Sequence, residues 1–183
     1  MTLTVSNGSQ TGTTTTTVVV GQTPPTAAIT TPALNATYNG GQSIAFSGTA
    51  TDAVDGTLPA SDYTWQVDFE ANGVAQPFYS SEVPGPYYGP VSGVSSGSFQ
   101  LPVDISNMPG TFYRITLTVK DSLGLTTVVT RDIHPNLTSW TVKSNVTGAA
   151  FVVDGTWQTS PVTIQDVVGI QHVLTGVPEQ TIN

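Results

Sequence analysis

Apolar and polar residues alternate with period two along most of the chain, between clusters of Gly, Pro, Asn and Asp, and no 3.6-residue period is sustained. This is the pattern of a β-sandwich. The clearest predicted strand is 112–120, with Tyr113, Ile115, Leu117 and Val119 on one face and Arg114, Thr116, Thr118 and Lys120 on the other. In 43–51, Ile44, Phe46 and Ala50 face inward. In 62–70, Tyr63, Trp65, Val67 and Phe69 alternate with Thr64, Gln66, Asp68 and Glu70. Segment 125–133 follows 112–120 through Asp121-Ser122-Leu123-Gly124, so the two read as a hairpin.

The opening residues echo that hairpin. Thr2-Leu3-Thr4-Val5 leads through a polar turn into a Thr run and Val18-Val19-Val20, as Thr116-Leu117-Thr118-Val119 leads into Thr126-Thr127-Val128-Val129, at an offset of 114 residues. Residues 1–21 therefore read as the closing hairpin of a preceding domain, against chance similarity of two Thr/Val hairpins. Residues 22–26 read as a linker, because Pro24-Pro25 cannot continue a ladder. The sandwich spans 27–135. After His134-Pro135-Asn136, short strands are predicted at 138–143, 149–154, 161–166 and 170–175, with Asp154-Gly155 as a turn. Residues 136–183 are few for an independent sandwich and read as a partial small β-module.

Composition narrows the function classes. The 183 residues hold 4 Lys+Arg against 12 Asp+Glu, a net charge of −8. No basic patch can be built from Arg114, Lys120, Arg131 and Lys143, which argues against nucleic acid. Charged residues make up 9% of the chain, too few for acidic disorder. Without cysteine there is no disulfide and no thiolate zinc site. No apolar run approaches the roughly 18 residues of a membrane span, and no basic-then-apolar leader opens the chain.

Four stretches carry a family resemblance: PPTAAITTPA (24–33), SIAFSGTATDAVDGTLPASDYTWQVDF (43–69), GPVSGVSSGSF (89–99) and FYRITLTVKDSLGLTT (112–127). Together they resemble a PKD-type, immunoglobulin-like domain, in particular the module appended to bacterial secreted sugar (glucose or sorbosone-type) dehydrogenases and polysaccharide-active proteins. FVVDGTWQTSPVTI (151–164) and VVGIQHVL (167–174) resemble the small β-module that often follows. That resemblance implies an all-β fold and a secreted or cell-surface location, which the low Lys content and the Thr/Ser/Gly-rich composition suit. One departure matters: the family's His-rich stretch after the Trp strand corresponds here to residues 70–78, which contain no His. No role of those histidines carries over, and neither does the activity of the absent dehydrogenase propeller.

Catalysis finds little support. Gly93-Val94-Ser95-Ser96-Gly97 matches the G-x-S-x-G string, but that nucleophile needs a strand-turn-helix context and a nearby His and acid. His134 reads as a linker residue and His172 as a half-buried strand residue. Asp68 and Glu70 lie two apart on one strand face, about 6–7 Å between carboxyls, without a cleft to hold a sugar; they read as solvated face residues.

Two site expectations remain. Asp52 and Asp55 lie in the loop after strand 43–51, and an immunoglobulin-like topology brings Asp121 to the same end. Three carboxylates with loop carbonyls suit calcium; the alternative is that these Asp residues cap their own turns. The long segment 71–96 carries Phe78, Tyr79, Tyr87 and Tyr88 among prolines. Such rings can stack on a polysaccharide or cell-surface glycan, or they can cover an open edge of the sandwich. The sequence thus reads as a non-catalytic extracellular spacer, possible carbohydrate-binding accessory domain of a larger secreted protein, with neighbouring domains of a longer chain as partners. The alternative is a structural subunit of an extracellular fibre, joined head to tail by strand exchange through the opening hairpin.

Overall fold

The structure is a computed structural model; it describes residues 2–15, 22–76, 85–104, 107–146 and 148–176. The strands in chain order are β1 (Thr2–Ser6), β2 (Thr11–Thr15), β3 (Thr26–Thr31), β4 (Thr37–Tyr38), β5 (Ser43–Asp52), β6 (Gly56–Thr57), β7 (Tyr63–Ala71), β8 (Val74–Gln76), β9 (Tyr88–Ser92), β10 (Ser96–Gln100), β11 (Thr111–Lys120), β12 (Thr126–Pro135), β13 (Leu137–Val142), β14 (Ala150–Val153), β15 (Thr156–Thr159), β16 (Val162–Val167) and β17 (Leu174–Gly176). A single 3-10 turn, Ala60–Asp62, interrupts them among the described residues.

Two sheets form an immunoglobulin-like sandwich. One has the order β10-β5-β3 with β6 on β5; the other has the order β4-β12-β11-β7-β8 with β9 on β7. The inward faces are those that alternation picks out. Tyr113, Ile115, Leu117 and Val119 of β11 are wholly buried, and Tyr63, Trp65, Val67 and Phe69 of β7 face them in register. Ile44, Phe46 and Ala50 of β5 close the core from the opposite sheet. The period of two drives this arrangement, because every second side chain must leave water together. Trp65 sits at the centre, 4.7 Å from the Phe46 ring, and donates its indole N–H to the Val94 carbonyl at 2.9 Å. Gly48 makes room for it: a Cβ there would meet Leu117 Cδ2 at 2.7 Å and Trp65 Cη2 at 3.1 Å.

The outer face of β7 departs from the sequence reading. Glu70 is buried rather than solvated, because Arg114 on the neighbouring strand β11 covers it with a 3.2 Å ion pair. The same guanidinium grips Asp132 of β12 through two bonds of 2.8 and 2.9 Å. Asp68 accepts both of its side-chain bonds from Gln66. The carboxyl pair is therefore built into the sheet.

Past the sandwich, β13 pairs with β16, and β14 lies between β15 and β17. β15 is a strand the alternation did not single out, and β17 covers only the end of the segment predicted at 170–175. Asn136 alone separates β12 from β13. His134 lies within β12, pairs with Thr37 of β4 and stacks on Phe112 at 5.1 Å, so it is a ladder residue and no linker. Backbone bonds stitch the junction: Asn136 N–H to Tyr38 O, Gly40 N–H to Val168 O, Val168 N–H to Asn136 O and Gln171 N–H to Val103 O, all at 2.8–2.9 Å. Val167 of β16 joins the core cluster of the sandwich. At the other end, β1 and β2 pair only with each other, and every residue from 2 to 15 is exposed.

Candidate functional site

The Asp-rich end of the sandwich is built from turns. Asp52 closes β5, and its Oδ1 accepts from the N–H groups of Val54 at 2.7 Å and Asp55 at 3.1 Å. These donors hold the Asp52 carboxyl below the usual carboxylate range. Asp55 reaches across to the β11–β12 turn. Its two oxygens accept from the Ser122 N–H at 3.0 Å and the Ser122 hydroxyl at 2.8 Å. Asp121 Oδ1 accepts from Leu123 N–H at 2.9 Å and Leu125 N–H at 2.7 Å. So the expected loops do meet, but through a carboxylate–serine clasp. Asp52, Asp55 and Asp121 point their oxygens at protein donors, and among the described residues no three His, Cys, Asp or Glu side chains group as a metal would require.

The aromatic candidates divide. Phe78 and Tyr79 lie outside the described residues. Tyr87 and Tyr88 are half-buried, and their rings turn inward: Tyr87 lies 4.8 Å from Tyr113 and 6.1 Å from Phe99, and Tyr88 lies 5.9 Å from Phe46 and 5.8 Å from Phe99. The Tyr87 hydroxyl donates to the Gln100 carbonyl, and burial pushes its pKa up to about 12. Beneath it, Tyr113 and Tyr38 both donate to Oδ1 of the fully buried Asn107, at 2.9 and 3.4 Å, while Asn107 Nδ2 donates to Pro102 O. Burial drives the Tyr38 hydroxyl up to about 12 and Tyr113 higher still. Two of the four rings thus carry the covering role that alternation left open.

Ser95 sits in the loop before β10, where its carbonyl accepts the Gly48 N–H; no helix follows it. His134 and His172 are held elsewhere, on Phe112 and between two carboxylates.

Sequence reasoning missed a cleft of about 310 Å³ between the Asn107–Pro109 loop and the small sheets, with Asp154, Asp166 and His172 in its wall. His172 is no strand residue; it lies in the connection before β17. Its Nδ1 is 2.7 Å from Asp154 Oδ2 and its Nε2 is 2.9 Å from Asp166 Oδ2. The remaining oxygens of the two carboxylates accept backbone N–H groups: Val173 at 2.8 Å for Asp154, and Val167 at 2.7 Å for Asp166. The visible signal was a lone His and a turn Asp eighteen residues apart. Only the fold-back of the 168–173 segment brings them together.

No curated protein and no solved structure matches the chain. A family model for a bacterial Ig domain matches residues 25–117, just over half of the 183, and ends inside β11, whose partner β12 completes the sheet. Domains of this kind are generally non-catalytic and are commonly found outside the cell or on its surface, and among the described residues no helix is long and apolar enough to cross a membrane. With its two-sheet sandwich and its matched residues, the chain belongs to the bacterial Ig domain family.

Proposed function

We propose that the chain is a non-catalytic spacer of a longer secreted protein, holding neighbouring domains at a fixed separation. The carrying observation is the junction between sandwich and small sheets. Three backbone hydrogen bonds cross it, Val167 joins the sandwich core, and Gly169 (φ +89°) comes so close that a Cβ would lie 2.7 Å from Gly40 O. A connection this short and this densely bonded resists hinge motion, unlike a free linker. The resemblance to PKD-like modules of secreted sugar dehydrogenases supports the extracellular setting. Nitrogen-15 relaxation on the intact chain tests the reading. Amides of β5, β11 and β16 should share one rotational correlation time, and Gly169→Val should separate β16 from the other two. Independent tumbling in the wild type would overturn the spacer. Glycan contact is the finer expectation; retention of the wild type by insoluble polysaccharide would turn the spacer into a binding module.

A second reading rests on hairpin β1–β2. Leu3 is 55% and Val5 64% exposed on a two-stranded sheet with unpaired edges, the template that strand exchange uses. In that reading the protein is a fibre subunit. Deleting residues 1–21 should then shift light-scattering assemblies to monomer; assemblies of unchanged size would exclude the hairpin as their joint.

A further inference from the structure

The three groups in the cleft wall are already saturated by one another, which points away from a ligand and toward a fastening. Asp154 stands at the β14–β15 turn, with φ +48° and Gly155 behind it. Asp166 is on β16, in the other small sheet. His172 lies between them on the connection from β16 to β17, with its ring 4.9 Å from Trp140 of β13 at an interplanar angle of 35°. The three side chains are only 13–19% exposed. Imidazole nitrogens differ with protonation: the neutral ring has one N–H and one lone pair, the cation two N–H donors. Here both nitrogens face a carboxylate oxygen within hydrogen-bond distance. With both carboxylates ionised, only the imidazolium satisfies both contacts; a neutral ring would aim a lone pair at one of them.

We propose that Asp154, His172 and Asp166 form a proton-dependent clasp that fastens the β14–β15–β17 sheet to the β13–β16 sheet when His172 is cationic and releases one side when it is neutral. The groups facing His172 are Asp154 from the β14–β15 turn and Asp166 from β16; Trp140 from β13 does not titrate, and neither do Asn107, Met108 and Pro109 across the cleft. The Trp140 face adds a cation–π attraction that the neutral ring lacks. His172 and the Val173 N–H keep the Asp154 carboxyl below its ordinary range, so that oxygen stays an acceptor in mild acid. The sign follows from proton counting. The fastened state carries one more ring proton than the released state, so raising the pH favours release. The clasp is therefore complete in mild acid, lost on one side at alkaline pH, and lost again in strong acid when the carboxylates protonate. A spacer built this way is stiffest in a mildly acidic medium.

The test uses the full chain. Long-range proton–nitrogen correlation spectra read the protonation of the His172 ring, with His134→Gln assigning which of the two His signals is which. Both ring nitrogens of His172 should be protonated at pH 5.5. Hydrogen exchange at Val173, whose N–H is held by Asp154, should lose on the order of tenfold protection between pH 5.5 and 8.5 after correction for intrinsic rates, the size expected of one charge-assisted hydrogen bond. His172→Gln should abolish that pH dependence while leaving the protection of β11 unchanged. A neutral single tautomer at pH 5.5, or Val173 protection that does not change with pH, would overturn the clasp. Both readouts come from the wild type, so the proposal is decided even if the variant fails to fold.

Discussion

Hairpins β1–β2 and β11–β12 share the run Thr-Leu-Thr-Val ahead of their turns, residues 2–5 and 116–119, and turn on the same chemistry. In each, the first loop residue, Asn7 or Asp121, donates its N–H to the carbonyl of the last, Gln10 or Leu125, at 2.9–3.1 Å. In each, the side-chain Oδ1 of that first residue accepts from the N–H groups two residues on and at the loop's end. Each loop carries a glycine at φ near +90°. Burial sets them apart. Leu117 and Val119 are wholly buried beneath β7 and the opposite sheet, while Leu3 and Val5 stand in water. Local sequence suffices to write a hairpin. What gives the hairpin stability is a neighbouring strand and a facing sheet.

The largest effect that can break this contrast is a core truncation made at both places. Leu117→Ala should cost about 2–5 kcal/mol of unfolding free energy, through lost transfer energy and an unfilled cavity beside Gly48 and Trp65. Leu3→Ala should fall within about 0.5 kcal/mol of wild type, as exposed positions do. Urea unfolding at constant pH measures both. Equal costs would mean that β1–β2 is buried against something in solution.

The turns sharpen the comparison on a smaller scale. Asp121 is 6% exposed, and its oxygen serves two buried-side donors next to the Asp55–Ser122 clasp. Asp121→Ala should cost about 1–2 kcal/mol, the range of a lost cap. Asn7→Ala leaves donors that water reaches at once, so the same urea unfolding should show a change of a few tenths of a kcal/mol. A large Asn7 effect would again reveal a hidden partner for the first hairpin.

The sandwich was legible in the sequence for a physical reason: the side-chain period in a strand is two, and a two-sided core forces that period onto 43–52, 63–71 and 111–120 alike. The candidate sites were less legible. Asp52, Asp55 and Asp121 were rightly placed at one end, yet spacing cannot say whether an oxygen faces a cation or an N–H; that depends on loop dihedrals and on Ser122, which carries no signal of its own. Tyr87 and Tyr88 share the difficulty, because a tyrosine beside proline suits a stacking face and a core margin equally. The β12–β13 junction was hidden by His134-Pro135-Asn136, which reads as a break. Pro135 costs little there, since β12 meets β4 in a pairing of only two residues at its end. The His172 clasp depends on three elements at once, which no local window contains.

The smallest effect tests the same loops by pH. Asp52 gains its depressed pKa first from the Val54 N–H and next from the Asp55 N–H, bonds that exist only in the folded loop. A carboxylate whose folded value lies below its ordinary 3.8 stabilises the fold above that pH, and the contribution disappears as pH falls through the folded value. Asp52→Asn cannot titrate, so its stability should be lower than wild type at pH 6, and the difference should shrink as acid protonates the wild-type carboxylate. Thermal melts from pH 2 to 6 give the difference curve. The comparison with the first hairpin enters through Asn7, which performs the same two-donor service without a charge. Asn7→Asp should therefore import a weak acid-sensitive limb into a turn that has none, reported by exchange of the Gln10 N–H and not by global unfolding. Global melting that followed the Asn7→Asp titration would show β1–β2 folding as one unit with the sandwich, and the contrast between the two hairpins would collapse.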